Sequence, residues 1–337
     1  MEKIIYPAAL SKGDYIAVTA PSSGVEEGLH NLLMKSKVNL EKLGFTIIEG
    51  HTIWTNDKCV SASKEARVDE LERYLVEDNI KAVVPPWGGE FLMEILPLID
   101  WALLRNQPPK WILGYSDIST FTFAYTLLTG HATAHGPNYV DIGSEQIDSV
   151  TSQWLDVLST GSNGFIKQYS SMFYRSSWET APDTPTKWKT LGRNSGDTRF
   201  SGRLIGGCLD TLSILVGTPY APIEHFSSTY CQDEGIVWFL ESCEMNAADI
   251  YRHLWQMKVC GWFNNTNGVL IGRAAGYLPR KNFELIDALE GVFGVMDIPV
   301  IYEVDIGHVP PQVTLINGAQ AEIICRDGKG EITLTLS

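Results

Sequence analysis

The sequence has no surplus of positive charge: 26 Lys+Arg face 40 Asp+Glu, for a net charge of −14. Nucleic-acid polymers and anionic membranes both need a basic partner surface, so neither is expected as a partner. A small anionic ligand in a locally basic pocket stays open. No apolar run approaches the ~18 residues of a membrane span. Residues Met1 to Pro7 show no basic segment followed by an apolar one, so no secretory signal is expected. The six cysteines (Cys59, Cys208, Cys231, Cys243, Cys260, Cys325) form no C-x-x-C pair. That argues against a zinc ribbon or a disulfide framework and suits a reducing cytoplasm. H-E-x-x-H, G-x-x-x-x-G-K-[ST] and G-x-G-x-x-G are all missing, which disfavours a zincin, a P-loop and a dinucleotide fold. His131 and His135 are four apart, but Gly130 and Gly136-Pro137 flank them and argue against a helix presenting both to a metal. No cofactor or metal is expected, and there is no internal repeat.

What the sequence does have is ordinary globular content, 44% hydrophobic and 20% charged, at a length of 337 residues that suits two domains. The first ~160 residues alternate strand-like and helix-like patterns. Tyr15 to Ala20, Phe45 to Ile48, Ala82 to Val84 and Trp111 to Gly114 read as strands. Leu29, Leu32, Leu33, Leu40 and Leu43 recur at roughly helical spacing before Gly44, and Ser63 can cap a helix carrying Val68, Leu71 and Leu75. Strand–helix alternation predicts an α/β fold with a parallel sheet covered on both faces. Residues 1–165 are read as an N-terminal α/β domain. From 166 to 201 Ser, Thr, Asn, Gly and Pro dominate around Trp178 and Trp188. This stretch is read as a linker and possible active-site flap. Residues 202–337 resume with strands at Ile236–Leu240, Gly268–Gly272 and Pro299–Val304, a helix at Ala247–Val259, and a closing hairpin around Asp327-Gly328.

Three strand ends carry chemistry. Ser116 follows a strand and precedes a helix, where backbone N–H groups can hold an oxyanion. Gly114-Tyr115-Ser116-Asp117-Ile118 falls short of G-x-S-x-G, and a serine here can instead be the helix N-cap. Trp87-Gly88-Gly89 also follows a strand, and glycines there let backbone approach a substrate closely. Gly206-Gly207 opens a helix in the manner of a phosphate cradle, but without either phosphate-loop motif. Glu241 ends the most hydrophobic strand of the second half. His308 follows another strand, between Gly307 and Pro310-Pro311. A serine, an acid and a histidine at strand ends fit the nucleophile, orienter and base of a hydrolytic triad.

Gly13-Asp14 through Pro21-Ser22-Ser23, Trp87-Gly88-Gly89, Gly114-Tyr115-Ser116-Asp117, Gly202 to Gly207, Leu240-Glu241 and Gly307-His308 occur in the order seen in the LD-carboxypeptidase family of serine peptidases. The resemblance spans nearly the whole chain, and the tryptophan-bearing stretch before Gly202 is similar to that of the microcin C self-immunity branch. It implies a flavodoxin-like N-terminal domain, a smaller α/β C-terminal domain and a cytoplasmic homodimer. It implies a Ser116, Glu241, His308 triad with an oxyanion hole of backbone N–H groups at Gly88, Gly89 and Asp117. It also implies an amide substrate of the aminoacyl- or peptidyl-nucleotide kind, with Trp178 or Trp188 stacking on the base beneath a flap over 170–194. The alternatives are trimming of a murein peptide, for which Arg203 or Arg252 is the candidate cation, and a non-catalytic sequestering protein. Cys208 stands where the family often has Asn, and a thiol cannot make the amide's paired hydrogen bonds.

Overall fold

The computed structural model describes residues 2–143, 147–176, 181–192 and 197–337. Near-continuous apolar runs form the first sheet. In β1 (Tyr15–Val18) Ile16, Ala17 and Val18 are wholly buried, as expected for a strand covered on both faces. It pairs in parallel with β2 (Thr46–Glu49) and β3 (Ile80–Val83), and β3 pairs in parallel with β4 (Trp111–Ile112). A bridge from Leu113 to Ala134 adds β5 (Thr133–His135) beside β4. The resulting order 2-1-3-4-5 is the flavodoxin-like one. The covering helices end as their sequence dictates. Helix His30–Leu43 stops at Gly44, whose φ of +101° is left-handed. In helix Lys64–Val76 the Ser63 hydroxyl accepts from Ala66 N–H at 3.2 Å.

The remaining strands are β6 (Phe165–Tyr169), β7 (Phe173–Tyr174), β8 (Thr184–Pro185), β9 (Lys189–Thr190), β10 (Thr198–Cys208), β11 (Ile236–Glu241), β12 (Thr266–Gly272), β13 (Val300–Val304), β14 (Leu315–Asn317), β15 (Gln320–Arg326) and β16 (Lys329–Thr335). Eight of them form one mixed sheet in the order β6-β16-β15-β10-β11-β12-β13-β9. Its centre, β10 to β13, is parallel, and Cys208 at the end of β10 lies beside Glu241 at the end of β11. The β15–β16 hairpin turns through Asp327 (φ +50°) and Gly328 (φ +79°), the positive-φ pair that a two-residue turn needs.

The stretch 166–201 departs from the expected linker. Its β6 and β9 are the two outer edges of the large sheet, and β10 begins before Gly202. Edge strands are half solvated, and β9 has only two residues, so little hydrophobic period is available to announce them. The C-terminal unit, implied to be the smaller, therefore carries the wider sheet. β5 also pairs antiparallel with β14, which ties the two units together at the edge where the site forms.

Candidate active site

The loop after β4 holds Ser116 at φ +63°. A non-glycine residue there is strained, by roughly 1–3 kcal/mol. The helix that follows, Ile118–Thr129, takes Asp117 as its N-cap, so Ser116 does not cap it. The strained turn instead stands the serine at the carboxyl edge of the sheet, next to the start of a helix. Among the described residues its hydroxyl has no hydrogen-bond partner.

Gly88 faces it. A methyl group on Gly88 would fall 2.6 Å from both Cβ and Oγ of Ser116 and 3.0 Å from Asp117 N. Only glycine permits this approach. The Gly88 carbonyl accepts from Ser23 N at 3.3 Å. In a trans peptide the next N–H points the opposite way, so the Gly89 N–H is turned away from Ser23. Among the described residues, neither that group nor the Asp117 N–H meets an internal acceptor. The Asp117 carboxylate fixes the surrounding loops: it accepts from Ser22 Oγ at 2.6 Å, Leu92 N at 2.9 Å and Thr120 Oγ1 at 3.0 Å. Burial raises its pKa, and these bonds oppose the rise.

Across the edge, His308 Nδ1 lies 2.7 Å from Glu241 Oε2. Both side chains are buried. Glycine makes this contact possible too: a Cβ on Gly307, itself at φ +84°, would run into the Glu241 carboxylate. The Tyr115 ring meets the His308 imidazole edge to face at 4.8 Å between centroids. Burial alone would lower the His308 pKa, but the Glu241 charge, the neighbouring Cys243 thiol and the Glu241 hydrogen bond raise it well above the usual histidine value. Burial alone would raise Glu241, but His308 holds it low. With Nδ1 committed to the carboxylate, Nε2 is the nitrogen free for proton transfer. No hydrogen bond joins it to Ser116 in this free form, and catalytic contacts often tighten only with substrate bound.

A cavity of about 460 Å³ opens beside His308, lined among others by Tyr174, Lys189, Arg273, Tyr277, Tyr302 and Pro310. Cys208 is buried next to Glu241, and burial pushes its thiol pKa well up. One ligand atom each from Cys208, Glu241 and His308 lies within 4.8 Å of the others, so this trio could hold a zinc-like ion. Such an ion would compete with the Glu241–His308 contact. His131 and His135 do not form a second metal pair. They lie at and just before β5, and four residues of strand span about 13 Å.

Several expected site residues sit elsewhere. Trp188 is 1% exposed, donates its indole N–H to Asp305 Oδ2 at 2.8 Å and packs against Gly330, so it pins β9 rather than offering a face to a base. Trp178 lies outside the described residues, as does part of the expected flap. Arg203 pairs with Glu234 at 2.7 Å and lies five residues before Cys208 on β10, about 17 Å back toward the opposite end of the sheet. Arg203 therefore cannot meet a substrate carboxylate at this edge. Arg252 is exposed and pairs with Asp249 on its own helix. The residue missed was Arg273. It directly follows β12, and the strand-end logic that found Glu241 would have found it too.

The site is made by residues from both halves, and so is the relationship to known proteins. Models of the LD-carboxypeptidase N-terminal and C-terminal domains match residues 16–136 and 201–323. The chain belongs to the LD-carboxypeptidase family. As a member of that family it is a serine peptidase. A putative carboxypeptidase of Vibrio cholerae is 26% identical over 95% of each chain. The microcin C7 self-immunity protein MccF of Escherichia coli is 24% identical over 94% of this chain and 92% of its own. The crystal structure of an MccF-like protein from Bacillus anthracis superposes with a TM-score of 0.83 at 24% identity, covering 98% of this chain and 99% of that one. The flavodoxin-like expectation for the fold therefore holds.

Proposed function

We propose that this LD-carboxypeptidase family member hydrolyses an amide bond through Ser116, His308 and Glu241, with aminoacyl- or peptidyl-nucleotides of the processed microcin C type as substrates. The observation that carries the proposal is the convergence at one sheet edge of a strained, unbonded serine and a buried histidine–glutamate pair 2.7 Å apart. His308 Nε2 takes the proton of Ser116 as Oγ attacks the carbonyl carbon. Glu241 holds the imidazole in orientation and stabilises its positive charge. The tetrahedral oxyanion is received by the N–H groups of Gly88, Gly89 and Asp117. His308 then returns the proton to the leaving nitrogen as the C–N bond breaks. Water, activated by the same histidine, releases the acyl group from Ser116.

The nucleotide reading draws support from two sides. MccF has been solved in complex with aspartyl sulfamoyl adenosine. The cavity beside His308 is within the usual size of small-molecule sites and is lined by Tyr174, Tyr277 and Tyr302. A second reading, cleavage of murein peptides, is favoured by the 23% identity over 87% of the chain to the murein tetrapeptide carboxypeptidase of Pseudomonas aeruginosa. Side-by-side turnover of an aminoacyl sulfamoyl-adenosine and a murein tetrapeptide separates the two. Higher kcat/KM on the adenylate is expected, and a preference for the tetrapeptide would transfer the assignment to the second reading. A pre-steady-state burst of acyl-enzyme is expected on the better substrate, and its absence together with tight binding would mean that the protein only sequesters its ligand.

A further inference from the structure

Arg273 is buried, 4% exposed, yet only part of its guanidinium is used. Its Nη2 donates to Asp305 Oδ1 at 2.8 Å and reaches Thr186 Oγ1 at 3.4 Å. Asp305 is fully buried and already accepts from Ser171 N and Oγ and from Trp188 Nε1, so it has no capacity left for a second contact from Arg273. The Tyr174 ring lies over the guanidinium, 4.3 Å from its carbon to the ring centroid. Among the described residues Nε and Nη1 meet no acceptor. Buried donors without partners are costly and rare, so two of them on one arginine ask for a partner from outside.

The position says where that partner comes from. Arg273 follows the last residue of β12, and its N–H bonds Val304 O at the end of β13. It thus stands on the same sheet edge as Glu241 and His308, and it lines the same cavity as His308 and Lys189. Lys189 is half exposed and only loosely paired, with Nζ 3.9 Å from Glu303.

We propose that this cavity binds an oxyanion carried by the substrate, a carboxylate or a phosphate-like group, with Arg273 as its anchor. The inference rests on the hydrolytic reading above and names the group that reading must accommodate. Nη1 donates to the anion, and Asp305, bonded at Nη2, holds the guanidinium still. Tyr174 stacks on the face of the guanidinium and helps to fix it. Lys189 adds a point charge at the mouth.

The test measures binding, not turnover. Full-length Ser116→Ala is titrated by calorimetry with adenosine 5′-monophosphate and adenosine, and with N-acetyl-D-alanine and its amide. The charged member of one pair is expected to bind about ten-fold or more tightly than its neutral partner. The pair that shows the preference identifies phosphate or carboxylate as the source. Adding Arg273→Lys keeps a cation against Asp305 but removes the free Nε and Nη1 donors. The preference should then collapse to about two-fold or less, with the neutral ligand unchanged. Equal binding within both pairs, or a preference that survives Arg273→Lys, overturns the proposal. If that variant does not fold, a crystal structure of Ser116→Ala with the tighter ligand decides. An anion within about 3 Å of Arg273 Nη1 supports the anchor, and an anion elsewhere removes it. Wild-type protein that turns over no substrate would defeat the hydrolytic reading and leave this preference measurable.

Discussion

The two halves of the molecule place their reactive groups by different physics. On the N-terminal side, backbone does the placing. Ser116 is held at φ +63° between a strand and a helix, Gly88 leaves room for it, and its hydroxyl is bound by nothing among the described residues. On the C-terminal side, burial and charge do the placing. Glu241 and His308 are enclosed together, each shifts the other's pKa, and Tyr115 braces the ring. The first side is therefore a geometric device whose side chain can change with little effect on the fold. The second is a buried ion pair in which, under the proposed mechanism, catalysis and stability share the same contacts.

That contrast can be broken by experiment. Ser116→Ala should lower kcat by roughly a million-fold, as loss of a triad nucleophile does, while the melting temperature hardly moves. A marked drop in melting temperature would show that the serine side is not independent of stability. Glu241→Gln should lower kcat by about ten-thousand-fold and also lower the melting temperature, because it strips the charge from a buried pair. Its pH profile carries the sign. A general base must be neutral, so activity falls as pH drops through the His308 pKa. Glu241 raises that pKa, so the acid limb of wild-type kcat/KM should lie above the ordinary ~6.5. In Glu241→Gln the limb should move to lower pH, and an unmoved limb would detach Glu241 from His308. Gly88→Ala sharpens the comparison further. Its methyl would press on Ser116, and a loss of about 10²–10³ in kcat is expected from the displaced donors. Unchanged kinetics would remove this loop from the oxyanion site.

The strand ends were legible because parallel strands leave strong signatures: apolar runs closed by Gly, Ser or a lone charge. Ser116, Glu241 and His308 all stand at such ends, and helix Ala247–Val259 keeps the bounds its spacing gave. What the sequence hid was pairing between distant segments. β6 and β9 are short or half-solvated edges whose partners lie far along the chain, so their stretch read as a linker. Trp188 misled for the same reason. A tryptophan in polar sequence looks exposed until the buried Asp305 that receives its indole N–H is brought alongside by folding. The left-handed turn at Ser116 was equally invisible, because serine carries no local mark of positive φ.

The pairing of β6 with β16 and of β5 with β14 has a consequence during synthesis. The half that carries Ser116 emerges from the ribosome first, with its own parallel sheet. The large sheet cannot receive its outer strand β6 until β16 has been made, and Glu241 and His308 stand at that sheet's edge. A chain nicked between the two halves would keep them joined through these cross-strand hydrogen bonds.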